Sequence, residues 1–205
     1  MKTIIEPELP TDSLNYEVIT AGVERVVNVP GMTCEIGLRR GGGSKFIIDA
    51  LADTGQKKIH IAIDPYGNIE YADTDEHTTR FDYTNDMRDD CLANMYLYCR
   101  QKGISFVFFN LEDTEFFNRF ADGVPVYNNA KSIENSYSFV HFDGPHAVMP
   151  LLLEVAFFNE RTPQGAVFVF DDVAQYDHQR VHTYLKSIGW EVFKTTPRKW
   201  AYFKK

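Results

Sequence analysis

Short β-rich runs alternate with helix-length segments along this chain, and that alternation constrains the fold more than any single motif. Thr33–Ile36, Lys58–Ile63, Ser105–Phe109, Ser138–Phe142 and Ala166–Phe170 read as strands. The FVFF run in the third is too β-rich and too short for a helix. Helical patterns separate them. Ser44 stands where a cap would open a helix carrying Phe46, Ile47, Ala50 and Leu51. A second helix runs from Asn85 or Asp86 to about Lys102, closed by Gly103, with Leu92, Met95 and Cys99 on one face. Asp113–Asp122, Val148–Asn159 and Gln175–Ser187 supply three more. Such alternation predicts right-handed βαβ units and a mostly parallel sheet covered on both faces. The last two strands, Trp190–Lys194 and Lys199–Phe203, are separated only by a turn at Thr196-Pro197. They must pair as an antiparallel hairpin at or near a sheet edge. The expectation is an α/β fold whose seven-stranded sheet ends in a reversed strand.

The ends of the chain and its composition add boundaries. Residues 1–12 are proline-rich and read as an extended arm. Ser13 is placed to cap a helix over 14–27 before Pro30-Gly31 breaks the chain. The division expected is an arm and helix over 1–30 and a main domain over 31–205, which suits 205 residues at ~150 per domain. Residues 66–83 are polar, with Gly67, Asp73, Asp75 and His77, and read as a loop or lid. A net charge of -8 repels phosphate backbones, so nucleic acid is not expected as a partner. No apolar run approaches the ~18 residues that would span a membrane. The N-terminus carries acids and prolines where a secretory leader needs an apolar run, and the three cysteines form no CxxC pair. A cytoplasmic location follows as the expectation, and a homo-oligomer is compatible with the chain.

Ligands of open α/β sheets sit outside the carboxyl ends of the strands. Four segments qualify here: Glu35–Ser44, Asp64–Gly67, Asp143–His146 and Asp171-Asp172. Core-filling strands have no structural need for carboxylates at their ends, so an acid at each of the four points to a site. The glycine-rich turn GLRRGGGS matches neither GxGxxG nor the P-loop. The acid before it disfavours a pyrophosphate and suits a cationic ligand, such as an amino group or sulfonium. Asp64 can accept bonds from both hydroxyls of a ribose, with Tyr66 against the base, or can form an Asx turn into Pro65. Asp143, Asp171 and Asp172 would converge from neighbouring strands. Three such charges repel one another unless a cation lies between them, and a hard divalent ion such as Mg²⁺ suits oxygen donors. His146 can act as a general base near neutral pH. The bland alternative makes Asp171 and His146 simple helix caps.

CEIGLRRGGGS, IAIDPYG, FVHFDGPH and FVFDD, in this order and at these intervals, resemble class I S-adenosylmethionine-dependent methyltransferases. The likeness is greatest to the metal-dependent group of macrocin O-methyltransferase and the cephalosporin hydroxylase-like proteins. It runs from about Gly31 to Lys205 and implies a Rossmann-like three-layer sandwich. Glu35 and Gly37 match the start of the cofactor motif, by the amino-acid part of S-adenosylmethionine, with Arg39, Gly41, Gly42 and Ser44 in the turn that follows. Asp64 matches the ribose-binding acid, and Asp113 and Thr114 fall loosely near the adenine. Asp143, Asp171 and Asp172 match the metal carboxylates, and His146 a histidine near the reacting hydroxyl. The glycine turn is one residue longer than the usual RGGS, and Pro145 replaces a residue that is commonly acidic or polar. The resemblance implies metal-assisted O-methylation of a small hydroxylated molecule or sugar. A non-methylating member of the same fold, a nicotinamide-dependent oxidoreductase and a binding protein without turnover are the alternatives.

Overall fold

The computed structural model describes residues 6–72, 78–80, 83–127 and 130–205. In chain order its elements are α1 (Glu17–Arg25), β1 (Met32–Ile36), α2 (Gly42–Asp53), β2 (His60–Ile63), β3 (Glu70–Ala72) and β4 (Thr78–Arg80). There follow α3 (Asn85–Lys102), β5 (Phe106–Phe109), α4 (Asp113–Arg119), β6 (Val124–Tyr127), β7 (Lys131–Glu134) and β8 (Tyr137–Phe142). The chain closes with α5 (Val148–Asn159), β9 (Val167–Phe170), α6 (His178–Ser187), β10 (Trp190–Thr195) and β11 (Trp200–Lys204). One seven-stranded sheet has the order β10-β11-β9-β8-β1-β2-β5. Its pairs from β9 to β5 are parallel, while β11 runs antiparallel to both β9 and β10. This is the predicted fold class.

Strand alternation sorts the core into two layers. Cys34, Val140, Phe142, Phe168 and Phe170 face α4, α5 and α6, where Phe116, Leu151, Phe158 and Val181 pack against them. Phe139, Val167 and Val169 face α1, α2 and α3, with Val23, Ile47, Leu51 and Met95. Each fully buried Phe or Leu contributes roughly 1.5–3 kcal/mol, so both layers are needed to hold the sheet flat against its helices. Leu9 of the arm and Val18, Ile19 and Val23 of α1 belong to the second layer, so the arm and α1 share a core with the sheet.

Four local expectations give way to tertiary contacts. Ser13 does not cap α1, which begins at Glu17 after Tyr16; its hydroxyl instead donates to Asp171 Oδ2 at 3.0 Å. Ser44 does not cap α2 either. Gly41, in the left-handed region at φ 82°, precedes the first turn at Gly42, and Ser44 lies buried inside that turn. Residues 66–83 are not all loop, because β3 and β4 pair antiparallel there; Asp73, Asp75 and His77 lie outside the described residues. A β6–β7 hairpin occupies a stretch in which no strand was expected. The helix over Asn85–Lys102 is as predicted, with Thr84 accepting from Met87 N and Gly103 closing it in the left-handed region. No described helix is long and apolar enough to cross a membrane.

Candidate active site

The order of strands reverses between β1 and β8, and a crevice opens outside their carboxyl ends. A cavity of about 450 Å³ lies there. Gly37, Arg39, Gly42, Asp64, Tyr66, Asp113, Thr114, Asp143, His146, Asp171 and Asp172 all line it, so four separate crossovers converge as the sequence predicts. Glu35, Gly41 and Ser44 are not among its lining residues.

Glycine shapes the floor. Gly37 has φ 84°, and a Cβ on it would come 2.1 Å from the carbonyl oxygen of Asp143. Only a residue without a side chain lets the segments after β1 and β8 approach so closely. Gly43 is required for another reason: a Cβ there would lie 2.0 Å from Glu35 Oε1. Glu35 sits beneath the turn rather than in the cavity, 1% exposed. It accepts from the Ser44 hydroxyl, and its Oε1 lies 2.8 Å from His141 Nδ1. Ser44 Oγ is also 2.7 Å from His60 Nε2, and His60 Nδ1 is 3.0 Å from Thr33 Oγ1. Burial pushes His60 down to about 3 and keeps it neutral. A buried polar chain therefore underlies the glycine turn, built from residues on one face of β1, β2 and β8.

Asp64 ends β2 with its carboxylate at the cavity wall. Oδ1 accepts from Tyr66 N at 3.0 Å, an Asx turn, and Oδ2 accepts from Arg39 N at 2.9 Å. A carboxylate has about four acceptor positions, so capacity for a ligand remains. Burial raises this carboxyl to about 6, against the opposing backbone donors of Arg39 and Tyr66. Tyr66 is buried, and its hydroxyl donates to the carbonyl of Arg39. Asp113 and Thr114 open α4, whose N-terminus is fixed by a capping box between Glu112 and Glu115. Behind Asp113, Glu154 of α5 is fully buried; burial first, then the charge of Asp113, raises its carboxyl well above the usual range.

The other wall carries Asp143, Asp171 and Asp172, and each has a different environment. Burial, then the charges of Asp171 and Glu35, pushes the Asp143 carboxyl well up. Asp171 is 1% exposed and meets Lys199, itself 0% exposed, at 2.5 Å. Burial alone would raise Asp171, but His141 and Lys199 outweigh it and hold the carboxyl below its usual value. Asp171 Oδ1 accepts from Asp172 N at 2.7 Å, so it caps no helix. Asp172 forms an ion pair with Arg198. His146 is buried at the cavity edge and stacks on Tyr176, with centroids 5.7 Å apart and planes 14° apart. Among the described residues, the group disposed to hold a cation is Glu35, His141 and Asp143, whose ligand-type atoms lie within 4.8 Å of one another. It shares only Asp143 with the predicted trio, and Glu35 and His141 already bond each other.

Sequence reasoning missed Lys199, Arg198, Ser13 and Asp12. The signal for the first two was present in the reversed strand. In an antiparallel last strand the beginning, not the end, lies at the active edge. The register Trp200↔Phe170 then sets Lys199 against Asp171 and Arg198 against Asp172. The arm completes the wall: Lys199 Nζ donates to Ser13 Oγ at 2.8 Å, and Arg39 pairs with Asp12 at 2.5 Å.

No protein-family model and no curated protein matches this chain. Solved structures do. The calicheamicin methyltransferase CalS11 superposes with a TM-score of 0.60 at 11% identity, covering 92% of this chain and 77% of that one. The O-methyltransferase NovP gives 0.57 at 17% identity, over 93% and 79% of the two chains. The O-methyltransferase TomG from Streptomyces achromogenes, solved in complex with SAM, gives 0.59 at 12% identity, over 97% and 83%. At such identities the likeness rests on the path of the backbone. The chain has the Rossmann-like fold of these O-methyltransferase structures.

Proposed function

We propose that this protein is an S-adenosylmethionine-dependent O-methyltransferase acting on a hydroxyl of a small molecule or sugar. The observation that carries the reading is the placement of Asp64: a carboxylate lining the same cavity as His146 and the glycine-shaped turn after β1. The residues present fit the cofactor. Asp64 retains acceptor positions suited to ribose hydroxyls, and Gly37 and Gly42 line the same cavity. Tyr66 stiffens the turn by holding the Arg39 carbonyl. Asp113 and Thr114 line the same cavity and are the residues proposed to lie near the base. When bound, S-adenosylmethionine supplies the activated methyl group.

The chain's own residues supply alignment and proton removal. His146 is clamped against Tyr176 and faces the cavity, where it can take the proton of an acceptor hydroxyl. Holding that oxygen in line with the methyl group converts a bimolecular step into an effectively unimolecular one. NovP, TomG and CalS11 are O-methyltransferase or methyltransferase structures by description, which supports a small-molecule acceptor here. Divalent-metal assistance fits less well. Two of the three carboxylates expected to hold the ion are paired with Lys199 and Arg198, so no step is assigned to a metal.

Ligand-dependent melting tests the reading. S-adenosylmethionine and S-adenosylhomocysteine should each raise Tm, as any ligand that binds only the folded state does. NAD should not. A rise with NAD and none with either sulfur compound would reverse the assignment.

A further inference from the structure

We propose that the buried ammonium of Lys199, together with the Arg198 guanidinium, takes the place of a divalent cation among the site carboxylates. The protein would then bind its cofactor and turn over without metal. The inference concerns how the proposed methyl-transfer site is held together and rests on that reading for its cofactor and its turnover.

The argument is one of charge and space. Three carboxylates crowd the ends of β8 and β9, and their repulsion requires positive charge nearby. The fold provides it covalently. Lys199 Nζ lies 2.5 Å from Asp171 Oδ2 and 2.8 Å from Ser13 Oγ, and 4.9 Å over the Tyr16 ring. Its three protons are therefore directed at an acid, a hydroxyl and an aromatic face. Asp171 is mostly occupied in turn: Oδ2 accepts from Lys199 and Ser13, and Oδ1 accepts from Asp172 N. Asp172 Oδ1 is held by Arg198. A dication at this spot would stand beside two fixed cations and compete for oxygens already in use. The Glu35–His141–Asp143 group offers no replacement, since Glu35 is committed to both Ser44 and His141. Register makes the arrangement a property of the fold: β11 starts where β9 ends, so residues 198 and 199 can reach residues 172 and 171 and few others.

Lys199 is thus a positioning residue. It joins the last strand, the end of β9 and the N-terminal arm at the cavity rim, in the way an ion would join its ligands.

Mn²⁺ binding, read by calorimetry and by the loss of its free-ion electron paramagnetic resonance signal, tests this on the full chain. Wild type should bind no Mn²⁺ at millimolar ion, and its Tm should be the same with Mn²⁺, Mg²⁺ or chelator. Lys199→Met exposes the carboxylates to one another and should gain Mn²⁺ affinity by about tenfold or more, since a neighbouring cation shifts such equilibria by 1–3 log units. Its Tm should rise with Mn²⁺ and fall with chelator, whereas Lys199→Arg should stay insensitive to metal. Wild type that binds Mn²⁺ overturns the proposal, and that arm decides even if Lys199→Met does not fold. A folded Lys199→Met protein that binds no Mn²⁺ also overturns it. S-adenosylhomocysteine titrated into the same samples keeps the two readings apart: metal binding with intact cofactor affinity refutes only the lysine substitution for metal.

Discussion

The two walls of the cavity use the same residue type in the same place to opposite ends. After β2, Asp64 meets backbone N–H groups alone, and burial leaves its carboxyl raised to about 6. After β9, Asp171 and Asp172 meet Lys199 and Arg198, and Asp171 is held below its usual value despite burial. One wall keeps acceptor capacity for a ligand. The other has used its capacity to tie the fold. An acid at the carboxyl end of a strand therefore marks the functional edge of the sheet, while the partner arriving from elsewhere decides whether that acid binds or braces.

The largest expected effect probes the bracing wall. Lys199→Ala leaves Asp171 buried without its cation and should destabilise the fold by about 3–5 kcal/mol, read from the urea midpoint. A loss below ~1 kcal/mol would mean that the pair is no brace. His146→Ala should lower turnover by ~10²-fold or more while S-adenosylhomocysteine affinity holds, because the role proposed for His146 is on the acceptor and not on the cofactor. Parallel losses of both would place it among the cofactor contacts instead.

Asp64→Ala comes next and should weaken cofactor binding by about 1–3 kcal/mol with little change in Tm. A pH series sharpens the same point. An unfolded aspartate titrates near 3.9, on the order of two units below the folded value of about 6 for Asp64. Between those values the folded protein holds a proton that the unfolded chain has lost. The group's contribution to stability therefore decreases as pH rises through the window. Cofactor affinity should run the other way. In the proposed role the ionised form accepts from ribose hydroxyls, so affinity should fall as pH drops below about 6, by at most tenfold per unit. The smallest effect belongs to the partly exposed Arg39–Asp12 pair across the arm, where Asp12→Asn should cost less than ~1 kcal/mol because solvent screens it. A larger loss in cofactor affinity would show that the arm itself contacts the ligand.

Some of this was legible in sequence for physical reasons. Alternating runs with strong termini, such as the helix between Thr84 and Gly103, carry their own boundaries. The four acidic crossovers gave the location of the cavity, because strand direction alone fixes which end they share. Three things were not legible. Ser13 and Ser44 both read as helix caps, yet each hydroxyl is drawn to a buried carboxylate on or beside another strand end: Asp171, remote in sequence, or Glu35 on β1. In the β6–β7 hairpin, β6 alternates over only four residues and carries Pro125, and β7 lacks the alternation of a half-buried strand, with Lys131, Ser132 and Ile133 all exposed. Finally, composition and spacing showed three acids without showing their counter-charges. Lys199 and Arg198 follow the last turn, and only the antiparallel register brings them to the site.

Calorimetric titration of S-adenosylhomocysteine into wild type and Asp64→Ala, in chelator at neutral pH, tests the central claim most directly. The account predicts saturable one-to-one binding to wild type without metal, weakened in Asp64→Ala by about 1–3 kcal/mol. No binding to folded wild-type protein, or equal binding to both, would contradict it.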